Sequence, residues 1–354
     1  MSIKEQTEDI GKIISSYSRK DFAADQDVRW CPGCGDYSVL AQVQRVMPAI
    51  CQELNIPRQN IVFISGIGCS SRFPYYMNTY GFHTIHGRAP TIATGLRLSR
   101  PDLQVWIVTG DGDGLSIGTN HLVHCLRRNI DVKILLFNNR IYGLTKGQYS
   151  PTSEVGKKTK SSPMGTVETP INPLRVAMVS EATFIARAIA TESKRLQDIL
   201  MRAARHKGSV FVEIFQNCNV FNDGAFDSFA DKSVRDERVL DLEDGKPLIF
   251  GKDRDKALII KGGTDGLNIE IMNRNEVEEK DLVIHYEKSA SGFLPRILAS
   301  LDERRFPVPL GVFRSINRPL YADLLAGQIE EATRIQGKGE LMKHIYAADT
   351  WTVD

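Results

Sequence analysis

The stretch that decides the fold is "VTGDGDGLSIGTNH", residues 108–121. It reads as the end of an apolar strand, a glycine-rich loop and the start of a helix. Such a loop normally holds an anion, because its bare backbone N–H groups and the helix dipole point at the ligand. Two carboxylates, Asp111 and Asp113, stand in this loop and would repel a phosphate that arrived alone. The stretch therefore predicts a diphosphate ligand that is bridged to the protein by a cation.

Short apolar runs on both sides of this stretch predict buried strands, and longer segments with helical spacing separate them. The predicted strands are NIVFISG (60–66), LQVWIVTG (103–110), DVKILLFNN (131–139) and SVFVEIFQ (209–216). The predicted helices are YSVLAQVQRVMPAICQEL (37–54), APTIATGLRLS (89–99), IGTNHLVHCLRR (117–128) and SKRLQDILMRAARHKG (193–208), the last closed by Gly208. This alternation is typical of an α/β protein with a mostly parallel sheet and helices on both faces.

We divide the chain into an N-terminal extension (1–25), an α/β domain (26–230) and a C-terminal extension (231–354) that packs on the domain or on a partner subunit. The extension contains a strand-like DLVIHYE and a helix-like YADLLAGQIEEAT. Within the domain, residues 149–173 form a long loop rich in Pro, Ser, Thr and Lys. Loops of this length are either solvated linkers or lids that order over a ligand, and both interpretations remain open here.

Composition excludes several classes of function. Lys plus Arg is 45 and Asp plus Glu is 43, so no basic field draws the chain to nucleic acid or to an anionic membrane. The polar N-terminus and the lack of a long apolar run predict a cytoplasmic protein. Its six cysteines are then core residues, metal ligands or reactive thiols rather than disulfides. Cys51 and Cys125 lie in apolar helical segments, where free cysteine packs as a small hydrophobe.

Oxygen ligands for a cation lie at the ends of two predicted strands. One strand ends just before Asp111 and the next ends at Asn138 and Asn139, with one helix between them. A right-handed crossover makes these strands parallel, so their carboxyl ends meet at one edge of the sheet. Asp111, the Asn139 amide and a main-chain carbonyl form a partial oxygen shell that suits Mg²⁺. The alternative is that both motifs only form turns.

Four cysteines are candidate metal ligands. Cys31 and Cys34 are separated by two residues, a spacing that lets both thiolates reach one metal centre. Cys69 and Cys218 each follow a predicted strand, so we expect them at the same edge as Asp111. Four thiolates suit either a structural zinc or a 4Fe-4S cluster. The cluster is favoured because it can take up electrons at a catalytic edge, whereas zinc adds only rigidity there.

Six stretches together resemble the β subunit of 2-oxoacid:ferredoxin oxidoreductases, over residues 25–330. They are CPGCGD, GIGCSSR, HTIHGRAPTIATGLRLSRPD, GDGDGLSIGTNH, NNRIYGLTKGQ and PVPLGVFR. The Gly-Asp-Gly and Asn-Asn pair is similar to the diphosphate motif of thiamine diphosphate enzymes. The resemblance implies a thiamine diphosphate-binding fold and CoA-dependent oxidative decarboxylation of a 2-oxoacid. The favoured substrate is 2-oxoglutarate, which gives succinyl-CoA, CO2 and reduced ferredoxin in a reversible reaction.

The resemblance also implies a role for individual residues. The cluster ligands are Cys31, Cys34, Cys69 and Cys218, and the Mg²⁺ ligands are Asp111, Asn139 and the Ile141 carbonyl. The cofactor contacts are Ile67, Gly68, Cys69, Ser70, His86, Gly112, Asp113, Gly143 and Leu144. His86 either orients the diphosphate or donates a proton, with a satisfied histidine at a helix start as the alternative. His83 and His121 receive no role, and Asn217 replaces the proline that the family commonly has before its last cysteine.

Arg72 is the residue that bears most on substrate choice. Its guanidinium near the reacting centre would pair bidentately with the second carboxylate of 2-oxoglutarate, and the alternative is a diphosphate or surface contact. Cofactor activation also needs a glutamate and an apolar wall. The sequence shows no second βα domain with an obvious buried glutamate, and the resemblance implies that an α subunit carries these parts. We therefore expect a dimer of αβ pairs, with ferredoxin, coenzyme A and the 2-oxoacid as its other partners.

Three competing functions remain at this stage. The first is a pyruvate or broad-range 2-oxoacid:ferredoxin oxidoreductase. The second is a non-oxidative thiamine-dependent decarboxylase with structural cysteines. The third is a non-catalytic, zinc-stabilised α/β scaffold that binds a nucleotide.

Overall fold

The secondary structure is taken from a computed structural model, which describes residues 11–263 and 266–353. The strands are β1 (Ile61–Ser65), β2 (Tyr80–His83), β3 (Gln104–Gly110), β4 (Lys133–Asn138), β5 (Phe184–Ile189), β6 (Val210–Phe215), β7 (Val239–Leu242), β8 (Lys246–Pro247), β9 (Ile249–Phe250), β10 (Lys256–Gly263), β11 (Gly266–Asn273), β12 (Ile284–His285) and β13 (Val308–Ser315). The helices are α1 (Asp36–Leu54), α2 (Phe73–Tyr76), α3 (Ala89–Ser99), α4 (Thr119–Arg127), α5 (Pro173–Val179), α6 (Ser193–Arg205), α7 (Asp227–Ala230), α8 (Arg235–Arg238), α9 (Phe293–Ala299), α10 (Tyr321–Gln336) and α11 (Leu341–Ile345).

Eight strands form the main sheet in the order β2-β1-β3-β4-β6-β5-β13-β7. The first six are parallel, β13 pairs antiparallel with β5, and β7 runs parallel to β13. This sheet confirms the predicted fold class. Among the described residues, no helix is long and apolar enough to cross a membrane.

Helices cover both faces of the sheet because alternate strand residues point to opposite sides. Phe63 packs in one core cluster with residues of α1 and α6. Its neighbour Ile64 packs in a second cluster with residues of α3, α4 and α5. Strands buried on both faces are continuously apolar, which is why the sequence showed them as unbroken runs.

Three strands of the sheet carry no such signal. β2 (sequence YGFH) is an edge strand with all four residues exposed, and β5 places Arg187 in its middle. β13 lies between β5 and β7 although it begins more than 110 residues after the end of β5 and more than 60 residues after the end of β7. Pairing over such sequence distances is decided by tertiary contacts rather than by local pattern.

Two boundaries differ from the sequence interpretation. α6 ends at Arg205 rather than at Gly208, because His206 is already extended and Gly208, with φ +135°, packs against Asn129. β7 and β13 come from the segment assigned to the C-terminal extension, yet both belong to the main sheet. The division at residue 230 therefore does not coincide with an edge of the sheet. The first ten residues of the predicted N-terminal extension lie outside the described residues.

Candidate active site

The candidate site lies where the carboxyl ends of neighbouring parallel strands meet. After β1 the chain crosses to β2 on one side and then returns to β3 on the other, so β1 and β3 flank a topological switch point. Ligands of open α/β sheets bind in the crevice at such a point. The segments that enter it follow five adjacent strands: residues 66–70 after β1, 84–88 after β2, 111–114 after β3, 139–144 after β4 and 216–218 after β6.

A cavity of about 540 Å³ opens at this switch point. Its volume is in the usual range for a cofactor site. The residues predicted to contact the cofactor or Mg²⁺ all line this cavity: Ile67, Gly68, Cys69, Ser70, His86, Asp111, Gly112, Asp113, Asn139, Ile141, Gly143 and Leu144. Tyr142, Thr145 and Gln148 line it too and were not predicted from the sequence.

Two glycines are required by the close approach of other groups to the backbone. A Cβ on Gly112 would lie 2.2 Å from the Tyr142 ring, and one on Gly66 would lie 1.9 Å from the Asp113 carboxylate. The Tyr142 hydroxyl also donates to the Gly112 carbonyl, at 2.9 Å. The residues after β3 form a π-helical turn, Asp113–Ile117, a distortion that is frequent at functional sites.

Asp111 is a buried carboxylate, and its side-chain hydrogen bonds all go to one of its two oxygens. It is 2% exposed, and the hydroxyls of Ser150 and Thr152 donate to its Oδ2 at 2.5 and 2.6 Å. Among the described residues no side chain donates to Oδ1. Burial raises the pKa of Asp111 to about 6, against the opposing effect of these hydrogen bonds. A buried carboxylate with one oxygen not engaged by a side chain fits a cation ligand, because a divalent ion would offset the cost of its burial.

Ser150 and Thr152 belong to the long loop at 149–173, whose role the sequence left open. Both residues are buried, so the beginning of the loop is part of the site and is not a solvated linker. Further along the loop Met164 and Val167 lie in solvent, 91% and 90% exposed, although Thr166 between them is buried.

Asp113 holds the loops around the cavity together. Its Oδ1 accepts from the backbone N–H groups of Ile67 at 3.0 Å and Gly87 at 2.7 Å, and from Nδ1 of His86 at 2.7 Å. Its Oδ2 accepts from the Thr109 hydroxyl at 2.6 Å. These bonds join the ends of β1, β2 and β3. They also favour the tautomer of His86 with the proton on Nδ1, and His86 lines the cofactor cavity.

The four predicted cluster ligands line a second, smaller cavity of about 200 Å³. They are Cys31, Cys34, Cys69 and Cys218. Burial raises the pKa of Cys34 and raises that of Cys69 to about 12, so these thiols ionise only beside a strong positive charge. The Gln216 amide donates to the Cys34 sulfur at 3.0 Å, a contact that the sequence did not indicate. Cys51 and Cys125 are buried in the core, as expected.

A buried carboxyl group lies beside the thiols. Asp36, two residues after Cys34, is 1% exposed, and its Oδ2 has no hydrogen-bond partner among the described residues. Burial raises the pKa of Asp36 to about 7.

Asn217, in the place of the family's proline, accepts from the Gly35 N–H through its backbone carbonyl at 3.1 Å. It therefore joins the Cys31–Cys34 loop to the Cys218 loop.

No three His, Cys, Asp or Glu side chains of the described chain converge closely enough to hold one metal ion. A tetrahedral zinc would need its thiolates about 2.3 Å from a single point. A 4Fe-4S cluster instead distributes its four thiolates over four irons, so the ligands surround a space. Cysteines around a cavity are compatible with such a cluster.

Arg72 lies at the rim of a third cavity, of about 690 Å³, which also contains Ile67, Gly68 and Leu144 of the cofactor cavity. It is half-buried and donates to the Arg29 carbonyl at 3.1 Å. Among the described residues it pairs with no carboxylate. His83 lines the same cavity, bonded to Ser65 at 3.0 Å, whereas His121 contacts Arg88 away from the cofactor cavity.

Comparison with known proteins identifies the family. Residues 66–214 match the thiamine pyrophosphate enzyme C-terminal TPP-binding domain. The 2-oxoglutarate oxidoreductase subunit KorB of Mycobacterium tuberculosis is 50% identical over 338 residues, which is 95% of this chain and 88% of that protein. The chain belongs to the 2-oxoacid:ferredoxin oxidoreductase β-subunit family.

Two other members extend the comparison of this β subunit. A 2-oxoacid:ferredoxin oxidoreductase β subunit of Aeropyrum pernix is 46% identical over 55% of this chain and 60% of its own length. The structure of 2-oxoglutarate:ferredoxin oxidoreductase from Magnetococcus marinus, with 2-oxoglutarate, coenzyme A and succinyl-CoA bound, has a TM-score of 0.71 at 32% identity. That match covers 94% of this chain and 96% of the solved one. The resemblance stated from the sequence motifs is thereby confirmed.

Proposed function

We propose that this β subunit belongs to a 2-oxoglutarate:ferredoxin oxidoreductase, which converts 2-oxoglutarate and coenzyme A to succinyl-CoA and CO2 and reduces ferredoxin in the cytoplasm. The observation that carries the proposal is that the cofactor cavity and the cysteine cavity adjoin. Four residues line both: Cys69, Asn139, Gly143 and Leu144. When bound, thiamine diphosphate supplies decarboxylation chemistry and a 4Fe-4S cluster takes up electrons one at a time.

Gly143 stands between the two cavities. A Cβ at this position would lie 3.4 Å from the Cys69 sulfur and 3.6 Å from the Cys218 sulfur. The backbone at 143 therefore runs directly against two proposed cluster ligands while it lines the cofactor cavity. The short separation between the cofactor cavity and the cysteine cavity favours electron transfer from thiamine diphosphate to the cluster.

The proposed Mg²⁺ ligands are Asp111, the Asn139 side chain and the Ile141 carbonyl. Their placement is consistent with a diphosphate bridged by the ion, since all three line the cofactor cavity. His86 has its Nδ1 fixed by Asp113, so it can present its other ring nitrogen to the cofactor or to an intermediate.

An α subunit is required to complete the site. Among the described residues that line the cofactor cavity, the only carboxylates are Asp111 and Asp113. Asp111 is a proposed Mg²⁺ ligand, and Asp113 accepts hydrogen bonds from the surrounding loops. The edge strand β2 and the loop after it expose Tyr80 (68%), Phe82 (48%) and Ile85 (71%) beside the site. Exposed apolar side chains on an edge strand, whose outer side has no partner strand, are typical of a protein interface. We propose that the α subunit covers them and supplies the glutamate and the apolar wall.

The β subunit purified alone is expected to bind thiamine diphosphate weakly and to lack 2-oxoglutarate-dependent ferredoxin reduction, because half of the cofactor's surroundings is absent. Co-purification with the α subunit should restore both. Binding is measured by calorimetry, and elemental analysis for iron, sulfide and magnesium accompanies it. The single chain should still be brown under anaerobic conditions. Turnover by the single chain would contradict the proposal.

Arg72→Ala is expected to lower kcat/KM for 2-oxoglutarate about tenfold to hundredfold, because a bidentate charge-assisted bond to the distal carboxylate is lost. Pyruvate has no such carboxylate, so its kcat/KM should change little. Arg100→Ala, which removes a surface guanidinium paired with Asp102, is the control. An equal loss with both substrates would assign Arg72 to the cofactor instead and remove it from substrate selection.

A further inference from the structure

The loop that carries two of the three proposed Mg²⁺ ligands is held in an unfavourable backbone conformation. Arg140 lies between Asn139 and Ile141 and has φ +55°. This left-handed region is costly for a residue with a side chain, and such residues persist only where their surroundings hold them. Arg140 is also 9% exposed, although a guanidinium is normally in solvent.

Two carboxylates hold the Arg140 side chain. Its Nη1 and Nη2 donate to the two carboxylate oxygens of Glu303 at 2.9 and 2.7 Å, a bidentate pair. Nη1 also donates to Glu154 at 2.9 Å. The guanidinium lies 4.9 Å from the centre of the Phe226 ring, so an aromatic face restrains it as well.

The backbone of the loop is held too. The Ser153 hydroxyl donates to the Arg140 carbonyl at 2.6 Å, and the Asn222 amide donates to the Asn139 carbonyl at 2.9 Å. Arg140, between the proposed Mg²⁺ ligands Asn139 and Ile141, is therefore held both through its guanidinium and through the backbone on either side of it. Of these partners, Glu303 comes from a segment more than 160 residues away, which contributes none of the described residues that line the cofactor cavity.

We propose that Glu303, acting through Arg140, is a positioning residue for Mg²⁺. The ion pair holds residue 140 in the left-handed conformation that aims the Asn139 side chain and the Ile141 carbonyl into the cofactor cavity. This inference rests on the proposed Mg²⁺ site. Partners that orient metal ligands typically contribute tenfold to hundredfold to metal affinity.

The test uses the αβ complex with Glu303→Gln, which keeps the shape of the side chain and removes its charge. Glu303 has a side chain 37% exposed, so the substitution should be tolerated by the fold. Thiamine diphosphate binding is measured by equilibrium dialysis at increasing Mg²⁺ concentration. We expect the Mg²⁺ concentration for half-maximal binding to rise at least about tenfold, with the same maximal binding at saturating Mg²⁺.

Glu331→Gln is the matched control. Glu331 also makes a bidentate pair with an arginine, Arg334, but on the exposed surface of α10. This variant should keep the wild-type Mg²⁺ dependence. Glu303→Asp, which retains the charge, should recover part of the loss.

Two outcomes separate this inference from the proposed function. If wild-type complex binds thiamine diphosphate without Mg²⁺, the proposed metal site itself is wrong. If wild type requires Mg²⁺ and Glu303→Gln has the same half-maximal concentration, the positioning role is overturned while the metal site stands. A variant that only lowers the melting temperature, with unchanged Mg²⁺ dependence, also overturns it.

Discussion

Replacing Cys218 by serine is expected to remove the iron–sulfur cluster from the αβ complex and to lower ferredoxin reduction more than about 100-fold. Cys218 follows β6 and lines the cysteine cavity, and its segment packs against the Cys31–Cys34 loop through the hydrogen bond from the Gly35 N–H to the Asn217 carbonyl. Serine has nearly the same size but binds iron weakly, so the effect reports ligation rather than packing. The measurements are visible absorption of anaerobic protein, iron and sulfide content, and 2-oxoglutarate-dependent ferredoxin reduction.

Cys51→Ala is the control for this experiment. Cys51 is completely buried in the core between α1 and the sheet, away from the cysteine cavity. Its loss creates only a small void, so iron content and colour should be retained. Full iron content in the Cys218→Ser complex would contradict the cluster assignment, and zinc in the wild-type protein would favour the scaffold function.

Replacing Asp111 by asparagine is expected to have two effects of opposite sign. Thiamine diphosphate binding in the presence of Mg²⁺ should weaken by more than about 100-fold, because the charged ligand is lost. The cofactor-free protein should at the same time become more stable near pH 8. Asparagine can still accept the hydrogen bonds from Ser150 and Thr152, but it carries no buried charge.

The sign of the stability effect follows from the raised pKa of Asp111, about 6 against an ordinary value of 3.8. Protonated Asp111 is favoured in the folded state, so its contribution to stability is complete below pH 3.8 and is lost as the pH rises through 6. At pH 8 the ionised side chain destabilises the cofactor-free fold by roughly 2–3 kcal/mol.

Thermal unfolding of wild-type and Asp111→Asn protein without Mg²⁺ and cofactor measures this difference. The variant should have the higher melting temperature at pH 8. Near pH 4 the melting temperatures of the variant and of the wild-type protein should become similar. Asp102→Asn, on the surface, is the control and should change neither property. A variant that binds the cofactor normally would remove Asp111 from the metal site. A variant that is less stable at pH 8 would show that the carboxylate is structural.

The sequence alone predicted the sheet edge and most residues of the candidate site. Residues buried on both faces of a parallel sheet must be apolar, so β1, β3, β4 and β6 are visible as runs, and polar residues just after them must lie at one edge. Asp111, Asn139, Cys69 and Cys218 were found in this way. The family motifs then supplied Ile67, Gly143 and the remaining contacts of the cavity.

Only the tertiary structure decided which other segments support that edge. Ser150 and Thr152 contact Asp111 from a loop whose role the sequence left open, and Glu303 reaches Arg140 from a segment without a chemical motif. The position of β13 beside β5 was likewise invisible in the local pattern. Strand pattern and turn chemistry are encoded by near neighbours in the chain, whereas these contacts depend on how distant segments pack against one another.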